Sequence, residues 1–279
     1  MNGFRWIFRA LFRRHTTLAK QTLMIALACG IYATVVVVVD QKFIGEIPNI
    51  KPQLHVMLGT VLGIFLAFRT STAYDRWWEG RKLWGQLVND SRNLAIKVQT
   101  LPKVSCDQKE EIGRLLIVFS RSLKDHLRAT PKPKEREWLA GRAHVPLDTA
   151  RSIRANIVRW REQGWIDGYD DIVLDIHARA LMDISGGCER IRKTPLAQSY
   201  MHFIRQGIGL YLVTLPWGLV DEWRYWSIAA TALVSYFMIG IELLAESVEE
   251  PFGHDEDDLR LDEICDGIEA SIREVLAER

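Results

Sequence analysis

Apolar residues along the chain gather into four long runs, and charges fill the segments between them. The first run, Thr22–Val39, ends in five consecutive valines before Asp40. The second, Leu54–Phe68, is 15 residues without a formal charge when His55 is neutral. The third extends from about Leu196 to Val220, and the fourth from Trp226 to Ala245. A helix needs about 20 apolar residues to cross a bilayer, fewer when its ends snorkel. The pattern therefore predicts four membrane helices. Between the first two, Asp40–Gln53 is a short outer loop with Gly45, Pro48 and Pro52 as breakers. Between the last two, Asp221-Glu222-Trp223-Arg224 is a tight turn, and Trp217, Trp223, Tyr225 and Trp226 form an interfacial aromatic belt.

Within the second run, Gly59, Gly63 and Ala67 recur every four residues and form one smooth strip. In lipid such a strip admits another helix backbone. One flanking row is Leu58, Leu62 and Leu66, suited to lipid or helix packing. The other is Thr60, Ile64 and Phe68, whose hydroxyl and aromatic ring suit a water-facing surface. Periodicity alone leaves open whether all three rows only pack.

The segments between the runs show helical spacing and no alternating strand pattern. Trp77–Val98 places Trp77, Trp84, Leu87, Val88, Leu94, Ala95 and Val98 at intervals of three, four and seven, and Pro102 ends it. Asp107–Arg128 presents Ile112, Leu115, Leu116, Phe119 and Leu123 on one face. A Pro-Lys-Pro linker follows Thr130. The next helix starts at a cap on Asp148 and runs to Gln163, with Gly164 at its C-terminal cap. Tyr169–Ser185 is a further helix, ended by Gly186-Gly187. The fold class is all-α: an N-terminal amphipathic arm (1–20), two membrane helices (21–68), a helical cytosolic region (69–195), two more membrane helices (196–245) and an acidic cytosolic segment (246–279).

Charge distribution sets the orientation. Residues 1–20 carry Arg5, Arg9, Arg13, Arg14 and Lys20 without an acid, and Arg69, Arg76, Arg81 and Lys82 gather after the second run. The positive-inside tendency places both flanks, and hence both termini, in the cytoplasm of a plasma (inner) membrane protein. Phe4, Trp6, Ile7, Leu11 and Phe12 among the arginines suggest an interfacial helix, with a solvated basic tail as the alternative. The overall net charge of +1 and mean hydropathy of −0.03 hide this segregation. From Glu242 onward there are 14 acids and three arginines, which predicts pairing with a basic surface, either the 69–92 region or the N-terminal arm. Cys29, Cys106, Cys188 and Cys265 have no paired CxxC spacing, so neither a zinc site nor a disulfide framework is predicted. No GxSxG, P-loop or HExxH is present, His126 beside Asp125 reads as a surface pair, and the expectation is no enzyme. Scattered, balanced basic residues give no nucleic-acid surface.

Three stretches carry a family resemblance. Phe68–Gly85 with Arg76-Trp77-Trp78-Glu79, then Cys188-Glu189-Arg190-Ile191 leading to Thr194-Pro195-Leu196, and Glu250-Pro251-Phe252-Gly253 before an acidic run match in order and spacing. Together they resemble the bestrophins in their bacterial form. The resemblance implies a homopentameric ion channel in the lipid bilayer, with the second helices lining a narrow neck. The neck positions fall on Thr60, Ile64 and Phe68, or, one turn earlier, on Val56, Thr60 and Ile64. Rings of apolar side chains narrow a water column until it dewets, gating ions without a charge barrier. A second aperture would fall at Ile172 or Ile176. Arg76, Trp77, Trp78, Glu79, Pro251, Phe252 and Gly253 would hold the helix junction rather than touch ions. In animal members the acidic stretch forms a calcium clasp, and Asp255 and Asp258 fall on its ligand positions. His254 and Glu250 depart from that pattern, and a capped acidic helix start is the alternative. No other cofactor is implied. Animal members conduct anions, and a bacterial relative favours monovalent cations such as sodium. The acidic C-terminus leans the expectation toward cations, with a chloride channel of the same architecture and a non-conducting scaffold as alternatives.

Overall fold

The computed structural model of the protein describes residues 17–42, 52–128 and 144–277. The amphipathic arm as far as residue 16, the outer loop over 43–51 and the Pro-Lys-Pro linker lie outside the described residues. Among the described residues the secondary structure is entirely α-helical. In order the helices are α1 (Thr17–Lys42), α2 (Pro52–Gln99), α3 (Cys106–Leu127) and α4 (Val145–Glu162). They continue as α5 (Gly168–Lys193), α6 (Gln198–Trp223), α7 (Trp226–Glu249) and α8 (Leu261–Ala277). The chain divides into two compact units, one ending at Asp75 and resuming over Pro195–Glu249, the other formed by Arg76–Thr194 and Glu250–Arg279.

The first unit contains α1, the first half of α2, α6 and α7. Each of these helices is long and apolar enough to cross a membrane. Leu66, Ile204, Ile208, Leu212 and Met238 form its apolar centre. The α1 face buried inside the unit is made of small side chains, Thr22, Ala26, Gly30 and Ala33. The buried face of α7 matches it with Ser227, Thr231 and Ser235. Packing of this kind gains van der Waals contact where lipid supplies no hydrophobic drive. Leu23, Leu27, Ile31 and Val35 face outward on α1, as a lipid-contacting side should.

Helix α2 is continuous over 48 residues, roughly 72 Å at 1.5 Å per residue. The apolar run and the Trp77–Val98 pattern are two stretches of this one helix. Nothing between Phe68 and Trp77 can stop it: the segment has neither Gly nor Pro, and Thr70 and Thr72 bond back to the Leu66 and Phe68 carbonyls.

The second unit has a conventional core. Trp84, Leu87 and Leu94 of α2 meet Leu116, Phe119 and Leu123 of α3, Ile153, Ile157 and Trp160 of α4, and Leu181 and Ile184 of α5. Each such burial is worth about 1.5–3 kcal/mol relative to exposure. The last helix, α8, contributes Leu261, Cys265, Ile268 and Ile272.

Three expectations about this unit are corrected. Helix α4 starts at Val145 rather than at a cap on Asp148, because His144 Nδ1 accepts the Leu147 N–H at 3.0 Å. Its end is as expected, with Gly164 at φ +70°. Helix α5 does not stop at Gly186-Gly187 but runs on to Lys193. A Cβ on Gly187 would stand 2.9 Å from Leu83 Cδ1, so this glycine serves close packing inside a helix rather than its end. The expected pairing of the acids from Glu242 onward with residues 69–92 holds for Glu242 and Glu249, which meet Arg69, but not for the acids of α8. Arg121 holds Asp266 and Glu269, while Lys124 and Arg128 hold Asp262 at 2.5 and 2.6 Å. The apolar face of α8 seats it on the core beside α3, which places its acids against the basic edge of α3.

Candidate functional site

The rows on the membrane half of α2 have separate surroundings. Leu66 is buried and Leu62 approaches Gly207 of α6, so this part of the leucine row packs within the chain, while Leu58 is exposed. Gly59 lies against Tyr211, while a Cβ on Gly63 would meet nothing within 4 Å. Val56, Gly59, Thr60, Gly63, Tyr211 and Phe237 line an open groove of about 940 Å³. Thr60, Ile64 and Phe68 all face outward, with Ile64 53% and Phe68 64% exposed; Val56 is exposed as well. The Thr60 hydroxyl donates to the Val56 carbonyl at 2.8 Å, leaving its methyl to face outward. The side of α2 read as the neck is therefore a mostly apolar ladder that faces away from the described residues of its own chain.

Below that ladder lies a charged cluster that joins the 69–92 region to the acids from Glu242 onward. Arg69, read as one of the basic group that gathers after the second run, is wholly buried. It donates to Glu249 Oε2 at 2.7 Å and lies 3.8 Å from Glu242 Oε2. Arg205 of α6 meets Glu242 at 2.8 Å and Glu246 at 2.9 Å. Glu249 Oε1 also accepts the Leu196 amide. Arginine's planar fork suits this shared pairing, and each charge in lipid is tolerable only with its partner in place.

In the second unit, Tyr169, Ile172, Val173 and Ile176 are exposed at successive one-turn spacings on α5. Ile172 and Ile176 thus belong to an outward apolar strip. A strip of that length on a polar unit marks a surface that contacts something else. His177, on the inner side, engages Asp90 at 2.7 Å and Lys97 at 2.8 Å.

The three signature stretches converge in this unit. Arg76 donates to the Thr194 and Ile191 carbonyls, both at 2.6 Å, closing the C-terminal end of α5. Trp77 stacks on Trp78 and donates to the Asp257 carbonyl at 3.0 Å. Glu79 pairs with Arg190. A Cβ on Gly80 would stand 3.1 Å from the Phe252 ring and 3.2 Å from Pro251, so only glycine lets the two motifs meet this closely. Burial, followed by the charges of Glu79 and Glu189, pushes the Cys188 thiol up to about 12. Gly253 faces the Asp258 carboxylate, whose Oδ2 accepts the Asp255 amide at 2.6 Å. Burial raises the pKa of Asp258. Among the described residues, the one group of three metal-capable side chains is His126, His144 and Glu189, which does not include Asp255 or Asp258.

The family model described as Bacterial/Fungal Bestrophin protein matches residues 4–274. The chain belongs to the bestrophin family. A voltage-dependent anion channel-forming protein of Nostoc sp. is 33% identical to this bestrophin over 260 residues, 88% of this chain and 84% of the relative. The Escherichia coli K12 protein YneE, named in the same words, is 32% identical over 225 residues, 77% of this chain and 74% of its own. A crystal structure of a bacterial bestrophin homologue from Klebsiella pneumoniae superposes with a TM-score of 0.87 at 25% identity. It covers 92% of this bestrophin and 100% of the Klebsiella chain. Membership places the protein among membrane ion channels rather than enzymes.

Proposed function

We propose that the protein is the subunit of a homopentameric anion channel of the plasma membrane. Its neck is lined by Thr60, Ile64 and Phe68, with the turn beginning at Val56 as the alternative register. The observation that carries this reading is the outward apolar ladder on α2. An exposed row in a membrane helix suits lipid as well, but this row borders a groove lined by glycines and a tyrosine hydroxyl. Copies of α2 around an axis would turn the ladder into rings that narrow a water column and gate it by dewetting. The exposed Ile172 and Ile176 suit a second ring on the polar unit, which the basic flanks place in the cytoplasm along with both termini.

Two observations support an anion as the permeant ion. Several relatives carry the name voltage-dependent anion channel-forming protein. The expectation of cations rested on an acidic C-terminus, and α8 spends Asp262, Asp266 and Glu269 on Arg121, Lys124 and Arg128 of its own unit. Charges so neutralised contribute little field to a vestibule. Asp255 and Asp258 are read as closing the loop before α8 rather than as calcium ligands, because Asp258 is already engaged by the Asp255 amide. Reversal potentials of the purified channel in asymmetric sodium chloride test the reading. A shift toward the chloride equilibrium potential is expected, and a shift toward that of sodium would restore the cation alternative.

A further inference from the structure

Three side chains with no part in the pore meet where three helices come together. His126 lies at the end of α3, His144 caps the start of α4, and Glu189 belongs to α5. All three are half-buried, and their donor atoms lie within 4.8 Å of one another. Glu189 Oε1 is 2.6 Å from His144 Nε2 and 3.5 Å from His126 Nε2. The imidazole rings lie 4.7 Å apart. Lys193 occupies the second carboxylate oxygen at 2.6 Å, leaving Oε1 directed at both histidines.

One atom in this cluster lacks an explanation. His126 Nε2 is buried and has no hydrogen-bond partner among the described residues. Buried polar atoms are rarely left so, and an orphan calls for a missing partner. Its neighbours decide which partner. A hard cation such as calcium takes six to eight oxygens, which two imidazoles and one carboxylate cannot supply. Two histidines, one carboxylate and a water make the four-coordinate set of zinc, with ligand atoms about 3.3 Å apart at Zn–N distances of about 2.0–2.1 Å.

We propose that His126, His144 and Glu189 form a binding site for a divalent transition-metal ion of the zinc class, clasping the ends of α3, α4 and α5. The protonation states agree with the geometry. Burial, then His144, lowers the His126 pKa and keeps the ring in its neutral, ligating form. Burial opposes ionisation of Glu189, but hydrogen bonds from Lys193 and His144 outweigh it and hold the carboxyl at about 2. Loading has a structural consequence. With Nδ1 accepting the Leu147 amide, His144 carries its proton on Nε2. Ligation through Nε2 moves that proton to Nδ1 and releases the Leu147 N–H to water, which exposed Leu147 permits. The metal thus exchanges one helix cap for a three-helix clasp.

The test is metal binding by the purified full-length protein in detergent, in a Cys106→Ser background because Cys106 is an exposed thiol. Titration with zinc chloride should load one ion per chain, undisturbed by millimolar magnesium or calcium. Cobalt(II) in its place should give tetrahedral ligand-field bands without thiolate charge transfer. His126→Gln and Glu189→Gln should each weaken zinc by more than the roughly 10–100-fold that outer-shell partners cost. Circular dichroism on the same samples confirms that these variants fold. Equal zinc binding by wild type and both variants would overturn the site, as would thiolate bands in the cobalt complex or no loading at all. The readout is binding alone, so it stands whether or not the pore selects anions.

Discussion

Replacing Arg69 with leucine would strand Glu249, and half of the charge around Glu242, inside the membrane unit. Breaking a buried pair by removing one partner costs about 3–5 kcal/mol, so Arg69→Leu should lower the thermal midpoint in detergent markedly. Adding Glu249→Gln should recover part of the loss. From the sequence, Arg69 was indistinguishable from Arg76, Arg81 and Lys82, since all four follow the same apolar run. What sets it apart is a carboxylate 180 residues away, a pairing that local spacing cannot reveal. The residues proposed for the neck were the opposite case. A four-residue ladder fixes azimuth within one helix, so Thr60, Ile64 and Phe68 were legible as one face before any packing was known. Ile64→Ala combined with Phe68→Ala should raise unitary conductance or open probability in planar bilayers, because widening the apolar rings relieves dewetting. Unchanged currents would remove both residues from the neck.

Helices themselves were easier to read than their ends. The apolar periodicity located seven of the eight described helices, with α2 read as two, and missed α8, which was read only as an acidic segment; where a helix stopped depended on contacts elsewhere. Gly186-Gly187 carries a breaker signal, and tertiary packing against Leu83 overrides it. His144 carries no conventional cap signal, yet its ring accepts the first free amide of α4. The small residues of α1 at 22, 26 and 30 did hold a detectable close-packing pattern, masked by the hydrophobicity around them. The joint between α3 and α8 yields a pH prediction. Lys124 and Arg128 hold Asp262 at about 2, below its usual 3.8. A carboxyl depressed in the folded state adds stability above its unfolded pKa and loses it as pH falls through the folded value. Wild type should therefore be more stable than Asp262→Asn at neutral pH, with the gap closing between about pH 4 and pH 2. Thermal unfolding across that range measures it, and because Asp262 is largely exposed the gap should be small.

At the scale of the whole molecule, the chain alternates twice between a membrane unit and a polar one, and each unit is completed by segments distant in sequence. The four apolar runs announced this arrangement, because hydropathy reads burial in lipid directly. Assembly was not legible in the same way, since the outward faces of α2 and α5 gain meaning only with other copies present. Mass photometry in mild detergent should find five subunits. Monomers or dimers would favour the scaffold reading instead.

The Arg69 cluster also bears on how the protein is made. The ribosome delivers α2 long before α7, so the guanidinium enters the bilayer while both of its carboxylates are still untranslated. Until Glu249 emerges, the nascent chain holds Arg69 without either of its carboxylates at the end of a membrane run, where the charge is costly. Truncated chains lacking α7 should therefore be less stable than the full chain, which thermal unfolding in detergent would show.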